Sequence, residues 1–163
     1  MPDIILITRI QASSALCFKL AANTRMSQLL AQASKQNLQV KTSTDFLKRG
    51  DTAYCSYPGL GPKFTTEIIE LEEPRYLVHR LDHGFFREYI HQQFFREENG
   101  YTLLKDIIEY KVPGGIFGRI YNALFLKNQI RSMHKAKNKL LANYAESAQW
   151  QTLPGFKLSV NGV

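Results

Sequence analysis

Residues 101 to 125, YTLLKDIIEYKVPGGIFGRIYNALF, hold the change of rhythm that decides the fold. Up to Val112 the apolar residues alternate with polar ones, as on a half-buried strand: Thr102, Leu104, Asp106, Ile108, Tyr110 and Val112 share one face. Pro113-Gly114-Gly115 then ends the strand. From Ile116 to about Ala148 there is no proline and, after Gly118, no glycine. Phe117, Ile120, Tyr121 and Leu124 form one stripe, and Ile130, Met133, Leu140, Leu141 and Tyr144 continue an apolar face, so a long amphipathic helix is expected.

Upstream, turn signals recur at Gly50-Asp51, Pro58-Gly59, Gly61-Pro62, Glu73-Pro74, His83-Gly84 and Asn99-Gly100. They bound strands expected at Thr52–Tyr57, Phe64–Leu71, Tyr76–Leu81, Phe86–Phe95 and Tyr101–Val112, an antiparallel meander. At the N-terminus Ile4 to Ile10 is β-branched and reads as a strand. Ser13 or Ser14 can cap a short helix, and Asn23 or Thr24 a second. One strand, two short helices, several antiparallel strands and a closing helix make an α+β domain over residues 1–148, with 149–163 as a tail.

Composition narrows the class. The 163 residues suffice for one core without metal or disulfide support. Cys17 and Cys55 stand far apart, without a CxxC pair. The longest charge-free run, Thr52 to Pro62, contains two prolines and spans no membrane. Asp3 and the short apolar run after it do not make a signal peptide, so a soluble cytoplasmic protein is expected. Of the 21 basic residues, seven lie between Lys111 and Lys139, where there is no acidic residue; the remaining fourteen match the 14 acidic ones. The net charge of +7 therefore belongs to the segment from Lys111 to Lys139, most of it the expected helix.

The order of elements, with several local strings, resembles the helix-grip fold of the START-like (SRPBCC) superfamily, in its polyketide cyclase-like, bacterial ligand-binding branch. The strings are Cys17-Phe18 with Leu20, Gly50-Asp51-Thr52, Thr66 with Ile69, Pro74 with Tyr76 and Val78, and Gly84 with Phe86. His91, Asn99-Gly100-Tyr101-Thr102-Leu103 with Asp106 and Tyr110, and Pro113-Gly114 with Gly118 complete them. The resemblance implies a curved antiparallel sheet wrapped around a long C-terminal helix, two short helices after the first strand, and a cavity between sheet and helix for hydrophobic small molecules. Relatives carry a second histidine two positions after the one matching His91; Gln93 stands there in this chain.

Aromatic residues gather in the sheet and early helix. The expected ligand-binding set is Tyr54, Phe64, Tyr76, Phe86, Tyr89, His91, Gln93, Asp106, Tyr110, Phe117, Tyr121 and Leu124. The loops Gly84-Phe85-Phe86 and Tyr57–Pro62 read as a lid, a mouth or a membrane-touching tip. His91 on one strand and Asp106 on the next are the only catalytic candidates, as an orienting pair for a general base. The blander reading keeps Asp106 as a buried carboxylate held by its neighbours. The four histidines, His79, His83, His91 and His134, are read as scattered, so neither metal nor cofactor is expected.

Three functions remain open. The first is non-catalytic binding of a hydrophobic or aromatic small molecule or lipid, by a monomer or homodimer. The second is a cyclase, hydratase or isomerase using His91 and Asp106. The third is an interaction or membrane-surface module working through the basic helix, in which Lys127, Arg131, Lys135 and Lys139 form one row. No nucleic-acid-binding signature accompanies that charge.

Overall fold

The computed structural model of the chain describes residues 4–59 and 61–156. Leu60, within the stretch Tyr57–Pro62 read as a loop, and the last seven residues of the expected tail lie outside them. The strands are β1 (Ile4–Ile10), β2 (Asn37–Lys41), β3 (Thr52–Ser56), β4 (Lys63–Glu72), β5 (Tyr76–Gly84), β6 (Glu88–Glu98) and β7 (Tyr101–Lys111). All pair antiparallel in one sheet of order β1-β7-β6-β5-β4-β3-β2. β2 carries only Leu38 and Val40 as apolar residues in a five-residue run, too weak an alternation to stand out in the sequence.

Helices α1 (Ser14–Ala22) and α2 (Thr24–Ala33) follow β1. The Ser13 side chain accepts from the Leu16 amide and that of Asn23 from the Met26 amide, so each helix begins at a polar cap expected from the sequence. The C-terminal helix runs through α3 (Gly115–Tyr121), a π-helical turn (Asn122–Leu126) and α4 (Lys127–Ala145), 31 residues in all. This is the helix-grip (START-like) architecture: a curved antiparallel sheet folded about one long helix. None of the described helices is long and apolar enough to cross a membrane.

The interior divides into two apolar clusters. One joins α1, α2 and the end of α4 to the sheet through Phe18, Leu30, Leu47, Ile68, Leu77, Leu104 and Leu141. Leu153 is buried in it, and Trp150 and Phe156 pack against it, so the described part of the segment after residue 148 lies on the body of the protein. The other gathers Ile4, Tyr57, Phe64, Phe86, Tyr89, Tyr110, Leu126 and Ile130. The loop aromatics Tyr57 and Phe86 are therefore interior residues, in edge-to-face contact with Phe64 at 5.4 and 4.9 Å between ring centres. They do not form an exposed tip.

Candidate functional site

The two-residue period of β6 turns Tyr89, His91, Gln93 and Phe95 toward the helix, and β7 sets Asp106 opposite Gln93. Asp106 has no solvent exposure. Its Oδ1 accepts from His91 Nε2 at 2.8 Å and Gln93 Nε2 at 3.1 Å, and its Oδ2 accepts from Asn138 Nδ2 at 2.6 Å. Asn138 comes from α4 and also donates to Thr8 Oγ1 of β1 at 3.0 Å. One carboxylate thus ties the sheet to the helix, and with three donors on it the buried charge is solvated by the protein. The carboxylate acceptor places a His91 proton on Nε2.

Two more histidines stand around His91. His79 on β5 is its direct cross-strand neighbour, the rings stacked at 5.8 Å. His134 of α4 sits edge-on to it at 4.5 Å. Burial pushes His79 down to about 3, with His91 and Lys137 adding to the effect. Burial also holds His134 well below the usual histidine range, again with His91 and Lys137 contributing. Both rings are neutral at physiological pH. Lys137 is lowered from its ordinary value by burial, an effect that Cys55 and Asp106 partly offset.

These groups line a partly enclosed cavity of about 110 Å³. Its wall takes Leu30, Leu47, Ile68 and Leu141 from one apolar cluster, and Cys55, Tyr57, Phe64 and Tyr89 from the other. The polar lining joins His79, His91, Gln93, His134, Lys137 and Asn138 to Asp51, Gln36 and the hydroxyls of Ser27, Thr52 and Thr66. Lys137 makes no ion pair within 4.0 Å among the described residues. Burial raises both cysteine thiols to about 11, so neither supplies a thiolate.

Of the residues expected around a ligand, Phe64, Tyr89, His91 and Gln93 line this cavity. Asp106 lies directly beneath it, bonded to His91, Gln93 and Asn138. Phe86 and Tyr110 are buried in the aromatic cluster, and the Tyr110 hydroxyl donates to Asn122 Oδ1 at 2.7 Å. Tyr76 pairs with Phe94 on the outer face of the sheet, and Tyr121 is half-buried beside Phe125. Tyr54, Phe117 and Leu124 are exposed and are not brought to the cavity.

His79, His134, Lys137 and Asn138 are the site residues that sequence reasoning passed over. The available signal was polar residues at 134, 137 and 138, on the helical face of Ile130 and Leu141. His91, Asp106 and His134, far apart in the sequence, offer ligand atoms within 4.8 Å of one another. Asp106 already serves three donors, and Lys137 shares the cavity, which weighs against a cation there.

No protein-family model matches the chain, and no curated protein matches it in sequence. Its structure is similar to that of TTHA0849 from Thermus thermophilus, with a TM-score of 0.70 at 17% identity over 88% of this chain and 99% of that one. Ginseng major latex-like protein 151 from Panax ginseng gives 0.66 at 12% identity, covering 88% and 97%. Norcoclaurine synthase from Thalictrum flavum, in complex with dopamine and hydroxybenzaldehyde, gives 0.64 at 15% identity, covering 88% of each chain. What this chain shares with all three is the START-like, helix-grip fold.

Proposed function

We propose that the protein binds a small amphiphilic molecule between the sheet and the long helix, its polar end at Lys137 and the histidines and its apolar end against Leu30, Leu47, Ile68 and Leu141. The observation that carries this reading is the Lys137 amine, which makes no ion pair within 4.0 Å among the described residues, in a cavity it shares with the unprotonated rings of His79 and His134, a wall of apolar side chains and a single carboxylate, Asp51. An acidic or acceptor group on the ligand would supply the amine with a partner. The volume, about 110 Å³, is below the ~300–1,000 Å³ of sites for drug-sized molecules, so the ligand is small and an acyl-chain lipid is disfavoured. A similarly folded norcoclaurine synthase holds dopamine and hydroxybenzaldehyde, compact aromatic molecules, which supports the size class.

The reading is one of binding. His91 and Asp106 are hydrogen-bonded to each other, and Lys137, the one amine in the lining, is read as the anchor of the ligand's polar end. Benzoate and benzyl alcohol, matched in shape and differing in charge, test the proposal by thermal shift and native mass spectrometry. Benzoate at about 100 times its dissociation constant should raise stability by about 2.7 kcal/mol. Benzyl alcohol should do less, and Lys137→Met should remove the difference. No shift with either compound, and no co-purified small molecule, would refute it.

A further inference from the structure

The chain turns an apolar row of its long helix to solvent. Ile116, Phe117, Ile120, Leu124 and Phe125 are 68%, 81%, 52%, 61% and 63% exposed, five of the eight exposed large apolar side chains among the described residues. Ile116, Ile120 and Leu124 are four apart and stand in one row, with Phe117 and Phe125 beside its ends. The inward side of the same stretch is occupied by Gly118 and Leu126, both buried, and by Asn122, which takes the Tyr110 hydroxyl. The row is therefore surplus to the core. Contiguous apolar surface of this kind marks an interaction site.

The charge around it selects the partner. Between Val112 and Ala145 every charged residue is basic. Lys111, just before this stretch, is tied to Glu88 at 2.7 Å, but Arg119 within the row and Lys127 at its end make no ion pair within 4.0 Å among the described residues. A second copy docked about a twofold axis would bring each cation toward its own mate, which is repulsive. An acidic lipid surface accepts both features, the apolar row into the headgroup boundary and the cations among the phosphates and carboxylates.

We propose that the N-terminal third of the long helix, through Ile116, Phe117, Ile120, Leu124 and Phe125 with Arg119 and Lys127, docks the protein on an anionic membrane surface. The test is co-sedimentation of the full chain with phosphatidylcholine vesicles, with and without phosphatidylserine, at low and physiological salt. Binding should require phosphatidylserine and weaken with salt. Phe117→Ser with Phe125→Ser should reduce it roughly tenfold or more, as should Arg119→Gln with Lys127→Gln. Because Phe117, Phe125 and Arg119 are exposed and Lys127 is half-buried without an ion pair among the described residues, every variant should keep the parent melting curve in circular dichroism. Absence of binding to phosphatidylserine vesicles at low salt overturns the proposal, as does binding unchanged by the phenylalanine pair. So does a dimer in light scattering that the phenylalanine variant dissolves while the parent ignores vesicles, which would make a second copy the occupant.

Discussion

At the scale of single residues, Asp106 has the most to lose. It accepts from His91, Gln93 and Asn138 with no water-exposed surface of its own. Asp106→Ala would take the acceptor from His91, Gln93 and Asn138, of which, among the described residues, only Asn138 keeps another partner, Thr8, and should cost on the order of 3–5 kcal/mol in denaturant unfolding. Asp106→Asn keeps one acceptor, and Asn138 can turn its amide to face the new NH₂ group. Its cost should stay near ~1–2 kcal/mol. Equal stability of the alanine variant and the parent would show that the network does not hold the sheet to the helix. The sequence made Asp106 legible, because a lone carboxylate on an apolar strand face demands partners. It did not make the partners legible. Asn138 lies 32 residues further on, and only the docking of α4 across β7 brings its amide to that oxygen.

At the scale of elements, the long helix was visible from its periodicity while its rotation was not. Gly118, Asn122, Leu126 and Ile130 are four apart, and all are buried except Asn122, which is half-buried. A regular α-helix turns about 100° per residue, so steps of four drift about 40° each time. The π-helical turn at Asn122–Leu126 takes up that drift and keeps these positions facing in. The same correction keeps Ile116, Ile120 and Leu124 facing out, where an even helical period reads part of their stripe as core. Gly118 fixes the start of this arrangement. Exposed mid-helix glycines usually gain about 1 kcal/mol when replaced by alanine. Here an added Cβ would run into the carbonyl of Pro113, a backbone atom that cannot swing aside. Gly118→Ala should therefore destabilise, by roughly 1–3 kcal/mol, with the sign reversed from propensity. A melting temperature raised by that change would mean the helix N-terminus shifts freely against the end of β7.

At the scale of the whole molecule, the buried histidines make stability depend on pH. His79 is pushed to about 3 and His134 well below its ordinary value of 6.5, burial being the main cause for both. His91 and Lys137 face both rings and lower them, His79 adds to this at His134, and the Asp106 carboxylate, within 4.8 Å of His134, is the one facing group that opposes the effect there. Below 6.5 the unfolded chain takes up a proton at each ring while the folded chain does not. Folding stability therefore falls as pH falls, beginning at 6.5 and continuing, for His79, to about 3. Each ring should contribute a slope of about 1.4 kcal/mol per pH unit inside that window. Above 6.5 neither contributes a slope. Lys137 acts with the same sign at higher pH, because its lowered value also leaves the unfolded chain binding the extra proton as pH drops below 10.5. Denaturant titrations of the parent at pH 7, 6, 5 and 4 should show the decline. The pair His79→Gln with His134→Gln should flatten it, since glutamine takes no proton in either state. If the double variant lost stability between pH 7 and 4 as steeply as the parent, the rings would be taking up protons inside the fold. The cavity would then be wetter and more cation-tolerant than two unprotonated histidines imply, and an uncharged or basic ligand would fit it better than an acidic one.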